Sequence, residues 1–124
     1  MTQEDKELLL RDLSARLPYG VKIQVPYEDG SGYFDETVWE VNNEGPFHVN
    51  GWGIEYEYVK PYLFPLSSMT EEQKKEYQYI TERWMYDSSY SISDSTDWLN
   101  KNHFDYRGLI KKGLAIDATG LNIY

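Results

Sequence analysis

The feature that most constrains the fold is a stretch of 32 residues, 28–59, that contains eight acidic residues and no lysine or arginine. Its carboxylates alternate with apolar side chains, most clearly over residues 54–58. A period of two residues is typical of a strand with one buried face and one solvated face. The stretch is therefore predicted to form β-sheet, with its negative charge on the solvated face.

Short runs rich in Gly, Asn and Asp divide this region into strands, because these residues favour turns. The predicted strands are 21–25, 33–41, 47–49 and 54–58. Consecutive strands joined by short turns predict an antiparallel meander. In the second strand, one face is predicted to be apolar (Tyr33, Thr37, Trp39, Val41) and the other solvated (Glu36, Glu40), although Phe34 and Val38 do not fit this pattern.

Helices are predicted before and after the strands in the order of the chain. Thr2 and Asp5 have the spacing of a capping box and precede a leucine stripe, which predicts a helix over residues 3–16. Two prolines indicate that residues 60–65 form an extended connector, and a second helix is predicted over about 70–85.

Two further short helices are predicted after that connector and helix, one carrying Trp98 and Leu99 and one beginning at Asp105. Residues 114–116 are predicted as an edge strand, and the last few residues are expected to fray. The predicted fold class is α+β in a single domain, residues 1–124. It comprises an N-terminal helix, an antiparallel meander of about four strands, and two or three C-terminal helices packed on one face.

Composition excludes several classes of protein. Cysteine is absent, which removes disulfides and thiolate metal sites, and no apolar run is long enough to cross a membrane. The charged opening residues do not suit the apolar core of a signal peptide, so a soluble, cytoplasmic protein is expected. The net charge of −9 disfavours direct binding to nucleic acid or to an anionic membrane and favours a basic protein surface as the partner.

Catalytic and metal-binding patterns are weak. His103 lies two residues from Asp105, which would suit an acid–base pair, but a histidine at a junction between helices more often bonds to backbone groups. His48 with Glu55 and Glu57 would suit a metal ion if their strands pair, although this spacing occurs on any exposed strand. No nucleophile elbow or phosphate-binding loop is present. No catalytic residue, metal site or cofactor is therefore predicted.

Tyrosine is the more informative residue type, because the chain has twelve and tyrosine contributes strongly to protein interfaces. Each ring could equally cover the core with its hydroxyl in water. The predicted binding surface combines carboxylates of the acidic strands with tyrosines beside them. Its residues are Glu36, Glu40, Glu55, Glu57, Tyr33 and Tyr62.

Several blocks resemble a family of small uncharacterised proteins from gut Bacteroidales genomes and their phages. These blocks are MTQEDKELLLRDLSARLPYGV (1–21), VKPYL (59–63), SSMTEE (67–72), DWLN (97–100) and HFDYRGLI (103–110), together 44 of the chain's 124 residues. The resemblance implies a bacterial or phage cytoplasmic setting, such as a mobile element. It implies no particular activity, catalytic residue or cofactor.

The function predicted from these observations is a non-enzymatic interaction module, whose acidic, tyrosine-rich sheet face docks on a basic partner as a phage or mobile-element modulator. The alternative is a small hydrolase or metal-dependent enzyme that uses His48 or His103 with nearby carboxylates. A self-associating structural protein is a third class, and the sequence does not indicate the oligomeric state.

Overall fold

The computed structural model describes residues 1–41, 46–48, 58–83, 86 and 92–124, without the side chains of Trp39, residues 46–48 and Ile92. Within these residues the fold is α+β. Its helices are α1 (Gln3–Arg16), α2 (Glu71–Arg83) and α3 (Ile92–Lys101). Its strands are β1 (Lys22–Pro26), β2 (Tyr33–Val41), β3 (Pro46–His48), β4 (Lys60–Pro65), β5 (Phe104–Asp105) and β6 (Ile116–Asp117). No helix of the described residues is long and apolar enough to cross a membrane.

Helix α1 begins and ends where the sequence predicts. The Thr2 hydroxyl accepts a hydrogen bond from the Asp5 N–H, and the Asp5 carboxylate accepts one from the Thr2 N–H, which completes the capping box. Leu9 and Leu13 lie on one side of the helix and are fully buried. The helix is therefore fixed both by its cap and by the apolar stripe that it packs against the sheet.

The sheet is mixed, and the predicted antiparallel meander is wrong. Strands β3, β2, β1 and β4 follow one another in antiparallel pairs, and the two-residue strands β5 and β6 both pair with β4 in parallel. The segment 60–65 was predicted as a connector because of its prolines, but it forms β4, which pairs with β1, β5 and β6. Pro61 and Pro65 are tolerated because proline keeps extended backbone angles and loses only one donor. The predicted strand 54–58 falls largely outside the described residues.

Two apolar clusters lie on opposite faces of β4. Leu63 belongs to the first cluster, which includes Leu9, Leu13 and Ile23. Its neighbour Phe64 packs against the second cluster, which is formed by Trp98, Leu99 and Phe104. Successive residues of a strand point to opposite faces. Helix α1 therefore covers one face of β4, and α3, which contacts α2, covers the other.

The segment after β5 differs from its prediction. No helix begins at Asp105; its carboxylate instead accepts hydrogen bonds from the N–H groups of Leu109 and Ile110 across a series of turns. An aspartate that caps a helix accepts from the N–H groups two or three residues on, whereas these donors lie four and five residues on, so Asp105 fixes a turn and does not start a helix. The predicted edge strand forms as β6, shifted slightly along the chain. The last residues do not fray, since Tyr124 is hydrogen-bonded to the sheet.

Candidate functional site

The first part of the acidic stretch forms the turn and the second strand of the hairpin of β1 and β2, residues 22–41, here called the acidic hairpin. Directly opposite residues of an antiparallel pair point to the same face. Ile23 is fully buried and pairs with Glu36, so Glu36 lies on the core face, where it is half-buried. Phe34 and Val38, which did not fit the predicted pattern, share that face. The predicted assignment of Glu36 to the solvated face is therefore wrong.

The opposite, outer face of the acidic hairpin carries Tyr33 and Asp35, which pair with Pro26 and Gln24. Tyr33 is 64% exposed, so its predicted place on the apolar face is wrong. Asp35 is also exposed. A polar and aromatic surface consequently faces solvent along this part of the hairpin.

An irregularity in β2 separates Glu36 from Glu40. The pairing of β2 with β3 shifts between Val38 and Glu40, as at a β-bulge, and Val41 again packs against the core. An extra residue inverts the alternation of faces beyond it. Glu40, which is exposed, therefore lies on the outer face with Asp35 and not with Glu36. Sequence periodicity assumes a regular strand, so it placed Glu40 on the solvated face correctly but assigned Glu36 to that face wrongly.

The carboxylates of the acidic hairpin are not neutralised by ion pairs. Every lysine and arginine of the chain falls within the described residues, and none of them forms an ion pair with the hairpin's carboxylates. These carboxylates belong to Glu28, Asp29, Asp35, Glu36 and Glu40. The hairpin thus retains its negative field, distributed mainly over its tip and its outer face.

The tip of the hairpin is ordered by its own polar groups. The Tyr27 N–H donates to the carbonyl of Gly32 at 2.9 Å, and the Ser31 N–H donates to the Asp29 carboxylate at 2.9 Å. Hydrogen bonds from the side chain and backbone of Ser31 lower the pKa of Asp29. Asp29 and the neighbouring Glu28 are fully on the surface, so the tip presents two carboxylates to solvent.

Tyr62 is hydrogen-bonded to two residues of this outer face, and it is not itself an exposed binding residue. Only 4% of it is exposed. Its hydroxyl donates to the Asp35 carboxylate at 2.5 Å and accepts from the Gln24 amide at 3.2 Å. Burial and the bond to Asp35 raise the pKa of Tyr62 to about 12. The hydroxyl therefore stays protonated and positions Asp35.

The remaining predicted residues are only partly described. Glu55 and Glu57 lie outside the described residues, and of His48 only the backbone, in β3, is described. The alternative metal site at these three residues is therefore untested. Among the residues that the structure does describe, no group of three His, Cys, Asp or Glu side chains is placed to hold a metal ion.

His103 and Asp105 do not form the acid–base pair that was the alternative for these residues, because both Asp105 oxygens accept backbone N–H bonds instead. The imidazole of His103 stacks on the Tyr124 ring, with centroids 3.7 Å apart and planes 10° apart. His103 is buried, and its Nδ1 atom has no hydrogen-bond partner among the described residues. Desolvation, followed by the positive charges of Arg16 and Lys22, lowers the pKa of His103 to about 4.

This depressed pKa predicts that stability falls as the solution is acidified. Between about pH 6.5 and about pH 4 the unfolded chain binds a proton at His103 and the folded chain does not, so the free energy of unfolding decreases by about 3 kcal/mol over that window. His103→Asn should remove this part of the pH dependence, since asparagine tolerates the φ of 60° at this position. Urea unfolding of both proteins across the window measures the difference. Equal slopes would show that His103 titrates normally in the fold.

A buried ionic cluster near β5 was not identified from the sequence. Arg16 and Asp12 are both fully buried; the Arg16 Nε donates to Asp12 at 2.9 Å, and its Nη2 donates to the Phe104 carbonyl at 2.5 Å. Arg107 donates to the other Asp12 oxygen at 2.9 Å, and both guanidinium groups lie over the Tyr106 ring. The i, i+4 spacing of Asp12 and Arg16 signals an ion pair, but such pairs are normally exposed. The cluster joins α1 to the chain after β5.

Comparison with protein-family models, with curated proteins and with solved structures found no match. The function is therefore inferred from the chain's own residues, and the family resemblance stays a prediction.

Proposed function

We propose that the protein is a non-enzymatic interaction module whose acidic hairpin docks on a basic surface of another protein. The observation that carries the proposal is that five carboxylates of the hairpin lack an ion pair with any lysine or arginine, all of which are described. Unpaired charges of one sign attract a partner of the opposite sign and direct its approach.

Exposed aromatic rings beside these charges support a protein partner over a simple cation. Tyr27 is 48% exposed and Tyr33 64% exposed, at the tip and on the outer face respectively. Tyrosine supplies apolar contact area and a hydrogen-bonding group at small cost in conformational entropy. From Tyr33 to Glu40 the outer face extends over roughly 20 Å of strand, which suits an extended basic segment. A mobile-element or phage setting for such a partner stays a prediction.

The charge contribution is tested with a triple variant, Glu28→Gln, Asp29→Asn and Glu40→Gln. The matched control removes three exposed helical carboxylates, Glu7→Gln, Glu72→Gln and Glu82→Gln, so both variants lose the same net charge. The probe is a synthetic peptide that alternates lysine with leucine, titrated by NMR. We expect the hairpin variant to bind about tenfold more weakly than the control, because each exposed interfacial charge contributes a fraction of 1 kcal/mol.

Two further measurements belong to this experiment, the salt dependence of peptide binding and the location of the NMR chemical-shift changes. Raising the salt from about 50 mM to about 500 mM should weaken binding to the wild-type chain, since exposed charges are screened. Chemical-shift changes should centre on Tyr33, Asp35 and Glu40. Equal affinities of the two triple variants, or shifts spread over α2, would contradict docking at the hairpin.

A further inference from the structure

Along the edge of β4 that pairs with β1, one backbone hydrogen bond is missing, and a side-chain hydroxyl takes its place. Val38 donates its N–H to the carbonyl of Val21, so odd-numbered residues of this part of β1 bond to β2. Because the bonding direction alternates along a strand, the N–H of Lys22 must point towards β4, opposite the carbonyl of Tyr62. No direct bond joins these two groups. Further along the same edge, Phe64 donates its N–H to the carbonyl of His103, just before β5.

The hydroxyl of Tyr124 occupies this gap. It accepts a hydrogen bond from the Lys22 N–H at 2.9 Å and donates one to the Tyr62 carbonyl at 2.8 Å. Burial raises the pKa of Tyr124 to about 12, so the hydroxyl keeps the proton that it donates. The hydroxyl oxygen of Tyr124 thus replaces the missing backbone hydrogen bond between β1 and β4. It lies at the place along β4 where pairing with β1 ends and pairing with β5 begins.

Aromatic and basic groups surround the rest of the Tyr124 ring. The His103 imidazole stacks on one face at 3.7 Å, and the Phe64 ring lies 5.9 Å away at a tilt of 53°. The Lys22 ammonium lies 6.0 Å from the ring centroid and also donates to the Ile123 carbonyl at 2.7 Å. Tyr124 nevertheless remains 42% exposed, so the space that it occupies opens to the surface.

We propose that this space is a binding socket for a para-substituted phenol, which the chain fills with its own Tyr124 and which accepts the tyrosine side chain of another molecule when Tyr124 is absent from it. The ligand class follows from the two backbone groups at the base of the socket. One requires an acceptor and the other a donor at the same position, and a hydroxyl supplies both. A ring without the hydroxyl would leave both groups unpaired.

The imidazole of His103 adds stacking contact with the aromatic ring of the ligand, while the selectivity for a hydroxyl comes from the two backbone groups. His103 has a φ of 60°, which is unusual for a residue other than glycine, and its ring lies within 10° of the plane of the Tyr124 ring. The socket is independent of the acidic hairpin's proposed partner, so either proposal can fail without the other.

The test uses the full chain with Tyr124→Ala and p-cresol, which is the tyrosine side chain as a free molecule. We expect p-cresol to raise the thermal midpoint of the variant in a saturable way and to bind it at least about tenfold more tightly than toluene, since the two differ in the hydroxyl. The wild-type chain, whose socket is filled, should show no saturable shift. NMR shifts caused by p-cresol should centre on Lys22, Tyr62 and His103.

Three results would overturn the socket. They are a variant that does not respond to p-cresol, equal binding of p-cresol and toluene, which would indicate a plain apolar hole, and an equal response of the wild-type chain. If Tyr124→Ala does not fold, Tyr124→Phe keeps the ring and removes the hydroxyl. Hydrogen exchange at the Lys22 amide should then be at least about tenfold faster than in the wild type. Unchanged protection of this amide would contradict the bridging role of the hydroxyl.

Discussion

Replacing Asp12 by alanine is expected to lower the free energy of unfolding by about 3–5 kcal/mol, because it leaves the guanidinium of Arg16 buried without a counter-charge. Arg16 is fully buried, and within the described residues Asp12 is the carboxylate that binds it. The Nη1 atom of Arg16 already lacks a hydrogen-bond partner there. Total stabilities of small domains are about 5–15 kcal/mol, so the loss is a large fraction of the whole. Urea unfolding measures it.

The control for Asp12 removes both charges together. In Asp12→Leu with Arg16→Met no buried charge is left without a partner, and we expect a loss much smaller than that of Asp12→Ala. Arg107→Ala should also cost less, because Arg107 is partly exposed and can be solvated. A double variant as unstable as Asp12→Ala would show that packing, and not the uncompensated charge, determines the effect.

Phe104→Ala is the second large effect, with an expected loss of about 3–5 kcal/mol in the free energy of unfolding. Phe104 is 2% exposed, stacks on Trp98 at 5.7 Å and contacts Phe64 at 6.2 Å. Its removal leaves a cavity at the centre of the second cluster, beneath α3. Chemical denaturation followed by near-ultraviolet circular dichroism, to which Trp98 contributes, reports both the stability and the loosening of this cluster.

Tyr86→Ala is the matched control for Phe104, because Tyr86 is 82% exposed and its truncation removes no buried contact. Its effect should stay within about 0.5 kcal/mol. A loss at Phe104 no larger than that at Tyr86 would mean that the second cluster does not contribute to the cooperative fold.

Local signals in the sequence predicted the fold class and several elements. The capping box of Thr2 and Asp5 locates α1 because capping depends on residues a few positions apart. The same is true of β1, where alternating burial follows the alternating sequence. Local signals failed at Pro61, whose strand is determined by three partners distant in the chain.

The candidate site was predicted less well, for two physical reasons. A single irregularity after Val38 inverts the faces of β2, and nothing in a regular pattern of residues indicates it. Tyr62 was predicted to be a binding residue, but it is buried, and its burial depends on neighbours from β1 and β6. The roles of Arg16 and Tyr124 arise from contacts between residues 88 and 102 positions apart in the chain, which periodicity cannot detect.

The pairing of distant segments has a kinetic consequence. Asp12 is bonded to a residue 95 positions away, and the Lys22 amide to one 102 positions away. Closing such long loops costs entropy before any contact repays it, which slows the search for the native state. During synthesis on the ribosome, β1 can pair with the adjacent β2, but the bonds of Asp12 to Arg107 and of the Lys22 amide to Tyr124 must wait until those distant residues emerge. Until β4 has emerged, the other edge of β1 has unpaired backbone N–H and C=O groups, which can pair with another chain.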